Sequence, residues 1–215
     1  MQIRLKAGLL RAHRPTDSAM RSDDLYSLPK DIPAPVDDGA VDHLSGMQVP
    51  CIPLLSTKDE WVDVSRQSAQ FVILFCYPKT GLPFQEPPKR WNQIPGARGC
   101  TPECMGFRRF YDKLRGLDSA VFGLSTQSTT YQKEMVDRLD LPFAVLSDCD
   151  LALTSALRLP TFIVDEQVLL KRLTMVIRQG TINHVFYPVF PPDRHAEEVL
   201  DWLQAAHDGH LKASS

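Results

Sequence analysis

The chain has 215 residues, 43% of them hydrophobic, and a formal charge of −2. That length suits one globular domain with a substantial core and leaves little for a second. The near-zero charge offers no electrostatic footprint for nucleic acid or an anionic membrane surface, and no apolar run approaches the ~20 residues of a bilayer span.

The five cysteines, Cys51, Cys76, Cys100, Cys104 and Cys149, are an odd number without a secretory-leader pattern. This argues against a disulfide scaffold and for a reducing compartment, where close cysteines are catalytic or metal-binding. The first ~20 residues are basic and almost free of acids, a weak mitochondrial-presequence pattern. A disordered basic tail is the alternative, and the cytoplasm is the expected location.

From about residue 22 to 55 the text is rich in Pro and Asp and has no sustained period, so it reads as an extended arm lying over the domain. QFVILFCYP (70–78) is a continuous apolar run closed by a proline, the pattern of a strand buried on both faces. A long Pro- and Gly-rich loop follows, with Trp91 and Ile94 as its expected anchors; loops of that length are functional or disordered. In TPECMGFRRFYDKLRG, Thr101 suits an N-cap, Pro102 the first helical position and Glu103 an acidic first turn, while Gly116 ends the helix. SAVFGLST (119–126) reads as a second buried strand, 128–140 as an amphipathic helix capped by Ser128, and LPFAVLSD (141–148) as a third strand. DLALTSALRL reads as a short helix, the stretch after it as strands with a hairpin turn at Gln179-Gly180, and 193–207 as a last helix. Alternating strands and helices followed by a hairpin and a helix predict an α/β, thioredoxin-like fold, a mixed central β-sheet flanked by helices.

The chemistry concentrates in IPGARGCTPECMGF (94–107). Cys100 sits just before the expected helix start, where free N–H groups and the helix dipole stabilise a thiolate over a thiol, and Arg98 adds positive charge. Cys104 follows one turn later. An i, i+4 pair lies ~6 Å apart at Cα, so a bond between them needs the first turn to deform and would be easily reduced. Two packing cysteines and a metal clamp are the competing readings.

YP at 77–78, then GCTPEC and GFRRFYDKL, resembles the peroxiredoxins, most nearly the atypical two-cysteine Q or bacterioferritin-comigratory type, and the likeness runs through AVFGLST, LPFAVLSD and KRLTMVI. The resemblance implies an N-terminal tail and arm over 1–45, a thioredoxin-like peroxiredoxin domain over 46–207 and a flexible tail over 208–215. It implies a thiol peroxidase for hydrogen peroxide or organic hydroperoxides, with no cofactor and no metal. Cys100 takes the place of the peroxidatic cysteine that becomes a sulfenic acid, and Arg172 that of the arginine stabilising thiolate and peroxide. Electrons would come from thioredoxin, glutaredoxin or a low-molecular-weight thiol, and the protein would be a monomer or homodimer. Two departures stand out. Ala97 occupies the place of the family's Thr or Ser, leaving Thr80 or Thr101 to supply a hydroxyl, and Met105 stands where the resolving cysteine is common, leaving Cys104 or an external thiol. Cys76, Cys149 and Cys51 read as plain residues, the last two also as distant resolving partners, and His184 as a structural histidine. Rival functions are a copper-binding CxxxC assembly factor and a redoxin-like binding protein that has lost catalysis.

Overall fold

The structure, a computed structural model, describes residues 23–209. The basic start at 1–22 and the end at 210–215 lie outside the described residues. In chain order the elements are β1 (Leu54–Ser56), β2 (Trp61–Val62), β3 (Phe71–Cys76), α1 (Cys100–Gly116), β4 (Ser119–Ser125), α2 (Thr129–Leu139), β5 (Val145–Ser147), α3 (Ala152–Leu157), β6 (Thr161–Val164), β7 (Gln167–Leu170), β8 (Leu173–Arg178), β9 (Thr181–Phe186) and α4 (His195–His207).

Seven strands form one sheet in the order β2-β1-β5-β4-β3-β8-β9, and β6-β7 is a separate hairpin. β3, β4 and β5 run parallel, connected through α1 and α2; β8 runs antiparallel to β3, and β9 to β8. This is the mixed thioredoxin-like sheet expected from the order of elements. Every residue of β3 is buried, and its side chains alternate between two cores, as the period of two requires. Phe71, Ile73 and Phe75 pack with α1, α2 and α4, whereas Val72, Leu74 and Cys76 face the arm, α3 and β7. The Gln179-Gly180 turn is borne out: both residues have positive φ, 51° and 75°, as a tight turn between right-twisted strands demands.

Three expectations need correction. Helix α1 starts two residues early, at Cys100, because Gly99 takes a left-handed φ of 107° and its carbonyl accepts the Glu103 N–H at 3.0 Å. Gly99, not Thr101, is therefore the cap. The strand expected over 141–148 is confined to Val145–Ser147. Asp140, at φ 48°, ends α2, and the Leu141 N–H turns back to the Val136 carbonyl at 3.0 Å, so residues 140–141 finish a helix. The short helix expected over DLALTSALRL is confined to Ala152–Leu157, where Asp148 accepts the Leu153 and Thr154 N–H groups at 3.1 and 2.7 Å.

Residues of the 22–55 stretch pack against the sheet: Leu44 and Val49 are buried in the core, and the Lys171 ammonium and Tyr187 hydroxyl both donate to the Asp38 carboxylate, which these bonds hold down at about 2.

Candidate active site

The site forms where β3 ends and α1 begins. Cys100 is the first residue of α1, so its sulfur sits at the end of the helix where backbone N–H groups are free and the dipole is positive. It is only 3% exposed. Arg172 directly precedes β8, whose first residue, Leu173, pairs with Cys76, the last of β3. That register carries a residue 72 positions away in the chain to the cysteine. The Arg172 Nη2 donates to Cys100 Sγ at 3.1 Å and to the Ala97 and Arg98 carbonyls at 3.4 Å each. Its Nη1 donates to Glu103. The Cys100 thiol faces the Ala97 carbonyl at 3.7 Å.

Glu103 is the residue that sequence reasoning placed only as an acidic first-turn residue. It is fully buried and ion-paired with Arg172. Burial pushes its carboxyl up, while Arg172 pulls it back down. The three-residue spacing from Cys100 was the available signal, since it puts both side chains on one helix face. For Arg172, burial opposes the charge, but Cys100 and Glu103 outweigh it and keep the guanidinium firmly protonated. The arrangement is a fixed cation with one nitrogen on a sulfur and another on a carboxylate, suited to a reaction in which negative charge moves off the sulfur.

A cavity of about 460 Å³ opens beside Cys100. Its walls include Thr80, Trp91 and Lys89 of the long loop, Thr101, Tyr131 of α2 and Leu25 of the arm. The loop is ordered as its anchors predicted: Trp91 is buried with Ala97 and Leu169, and Ile94 packs against them. Ala97 thus belongs to an apolar cluster under Trp91. Of the two candidate hydroxyls, Thr80 is engaged, its N–H and Oγ1 donating to Gln127 Oε1 at 3.0 and 3.2 Å. Thr101 is buried, lines the cavity, and its Oγ1 has no hydrogen-bond partner.

Cys104 is fully buried among apolar side chains, its sulfur 3.7 Å from Met135 Sδ. Burial, with the nearby Glu103 adding to it, pushes its thiol well up. Cys76 lies across the sheet in the other core. Cys51 and Cys149 are exposed, and the Cys51 thiol donates to Asp63 Oδ2 at 2.9 Å. His184, on β9, stacks on Trp202 with ring centroids 4.7 Å apart, and its burial holds the imidazole down. These four residues take no part in the Cys100 cluster.

The redoxin family profile matches residues 44–200, and the chain belongs to the redoxin family. Among similar sequences, the chloroplastic peroxiredoxin Q of Suaeda salsa is 25% identical over 161 residues, covering 74% of this chain and 67% of that protein. The putative peroxiredoxin bcp of Coxiella burnetii is 25% identical over 164 residues, covering 74% of this chain and 97% of that one. The peroxidoxin BcpB structure from Mycobacterium tuberculosis superposes with a TM-score of 0.62 at 22% identity, covering 75% of this chain and 96% of that one, and shares the fold. Within the family, the chain is a thiol peroxidase similar to peroxiredoxins of the Q/bcp kind. The copper-binding reading is set aside, and on physical grounds too: a guanidinium held 3.1 Å from Cys100 Sγ repels a metal cation. The reading as a redoxin-like binding protein without catalysis is set aside with it.

Proposed function

We propose that this peroxiredoxin reduces hydrogen peroxide and small organic hydroperoxides with Cys100 as the peroxidatic residue. The observation that carries the reading is the Arg172 Nη2 contact to Cys100 Sγ at 3.1 Å, made at a helix start and beside a cavity. The Cys100 thiolate attacks the terminal peroxide oxygen, the O–O bond breaks, and water or an alcohol leaves after protonation. The sulfur is oxidised to a sulfenic acid and the peroxide is reduced by the same two electrons. Arg172 stabilises the anionic sulfur before attack and the oxygen charge that replaces it. Thr101, a residue of the cavity wall whose hydroxyl has no partner, supplies the donor that Ala97 lacks.

Cys104 is the proposed resolving thiol. Its attack on the sulfenic sulfur releases water and forms a disulfide, which thioredoxin, glutaredoxin or a small thiol then reduces. Because Cys104 is sealed in the core, resolution requires the first turn of α1 to unwind. A structure titled for the alkyl peroxide reduction activity of Xanthomonas campestris bacterioferritin comigratory protein superposes with a TM-score of 0.57, which supports the shared scaffold. The proposed setting is the cytoplasm, with the protein a monomer or homodimer.

Stopped-flow mixing of reduced protein with hydrogen peroxide tests both roles. The parent and Cys104→Ser should react rapidly and Cys100→Ser should not, whereas a Cys100→Ser variant as fast as the parent sinks the reading. A sulfenic acid that persists in Cys104→Ser but not in the parent identifies Cys104 as the resolver.

A further inference from the structure

The segment Asp23–Leu28 lies outside the family match, which begins at residue 44, yet it lies against the active cysteine. Leu25 is 8% exposed and forms part of the cavity wall beside Cys100. Leu28 abuts Gly99, the cap of the catalytic helix: a Cβ built at Gly99 would lie 2.8 Å from Leu28 Cδ2. Arg98, two residues before Cys100, is 5% exposed and holds both the Asp23 carboxylate and the Asp24 carbonyl. On the far side Tyr26 lies against Arg138 of α2, with the guanidinium 5.7 Å from its ring centroid and Nη1 3.4 Å from its hydroxyl. Arg138 also donates to the Gly81 carbonyl, in the loop that forms the opposite wall. The arm therefore bridges the loop before Cys100 and helix α2 across the cavity.

Its attachments are of a reversible kind. Among the described residues they include the Arg98–Asp23 ion pair, the Arg98 bond to the Asp24 carbonyl, the Arg138–Tyr26 contact and two leucines, and the first backbone bridge to the sheet comes at Gly46, which donates to the Ile182 carbonyl. Segments outside the backbone ladders of a sheet or helix open at a small fraction of the global unfolding free energy. With the arm in place Cys100 is 3% exposed, and the cavity beside it has Leu25 of the arm in its wall.

We propose that Asp23–Leu28 is a specificity-determining wall of the Cys100 site, one that admits small hydroperoxides and small thiols and excludes bulky reagents until it detaches. The inference rests on Cys100 being the reacting thiol, and its consequence for turnover is a preference for small over bulky hydroperoxides.

The test reads access separately from peroxidase chemistry. In full-length protein carrying Cys51→Ser and Cys149→Ser, so that neither exposed thiol reports, Cys100 is alkylated with N-ethylmaleimide and with a polyethylene-glycol maleimide, and the labelled residue is confirmed by mass mapping. Both reagents form the same thioether, so the ratio of rates measures size exclusion alone. Asp23→Asn/Leu25→Ala should raise the bulky-to-small ratio at least about fivefold. Tyr26→Ala, at a residue 47% exposed, should move the ratio the same way and guards against a folding defect in the double variant. A ratio unchanged in both variants overturns the proposal. Stopped-flow rates with cumene hydroperoxide and hydrogen peroxide extend the test: their ratio should rise in the same variants, and a static ratio removes the specificity claim. A parent protein that fails to react with hydrogen peroxide at all would instead remove the assignment of Cys100, while the maleimide ratio still decides the wall.

Discussion

Arg172 faces a sulfur and a carboxylate at once, and only a forked, planar cation can hold both. Replacing it with lysine leaves one nitrogen for two partners. Arg172→Lys should lower the second-order rate constant for peroxide about 100-fold, as loss of a fixed charge donor does elsewhere, in stopped-flow traces at neutral pH. An unchanged rate would assign the arginine to structure alone. Thr101 makes the opposite kind of test. Its buried hydroxyl has no partner, so folding gains nothing from it, whereas a bound peroxide would. Thr101→Val should leave stability unchanged or raise it by about 1 kcal/mol in urea melts while slowing peroxide reduction about tenfold. Losses in both readouts together would mean that the hydroxyl is structural. Cys100, Cys104, Thr101 and Arg172 were all legible as candidates in the sequence, because a helix start and a family pattern mark them. Glu103 was legible only as an acidic residue in a first turn; that it is buried under Arg172 depends on a strand far along the chain.

At the scale of elements, the start of α1 shows how a local signal misleads. Thr101-Pro102 looks like a cap and a first helical residue, yet Gly99 adopts φ 107° and brings Cys100 inside the helix. Only glycine tolerates that conformation cheaply, and there is no room for more: a Cβ would lie 2.3 Å from Pro192 Cγ. Gly99→Ala should therefore destabilise the protein by about 1–3 kcal/mol, with the loss read from the denaturation midpoint. A melt equal to the parent would show that the Pro192 loop yields freely. The strand over 141–148 was overextended for a related reason: an apolar run with one proline carries no mark of where a helix end stops and a strand begins. Asp140 in the left-handed region decides that boundary. The continuous burial of β3 and the Gln179-Gly180 hairpin were legible because period and turn chemistry are local properties.

For the molecule as a whole, stability and chemistry share one core. Phe107 of α1 is fully buried and stacks on Phe75 of β3, ring centroids 4.2 Å apart, with His195 of α4 at 5.9 Å. This contact pins the helix that carries Cys100 to the sheet. Phe107→Ala should cost about 3–5 kcal/mol in chemical denaturation, and a loss below about 1 kcal/mol would show that α1 is held elsewhere. What the chain determines by itself is the main strands and helices of the core, their order, the α/β class and the cysteine at a helix start, since composition, period and turn residues act over a few positions. What only the tertiary structure decided is the partnership at the sulfur. The antiparallel pairing of Cys76 with Leu173 brings Arg172 to Cys100, the packing of α1 on the sheet seals Cys104 in the core, and the arm adds Leu25 to the cavity wall. Each depends on contacts between residues dozens of positions apart, and these form only when the sheet register and the layer packing are complete.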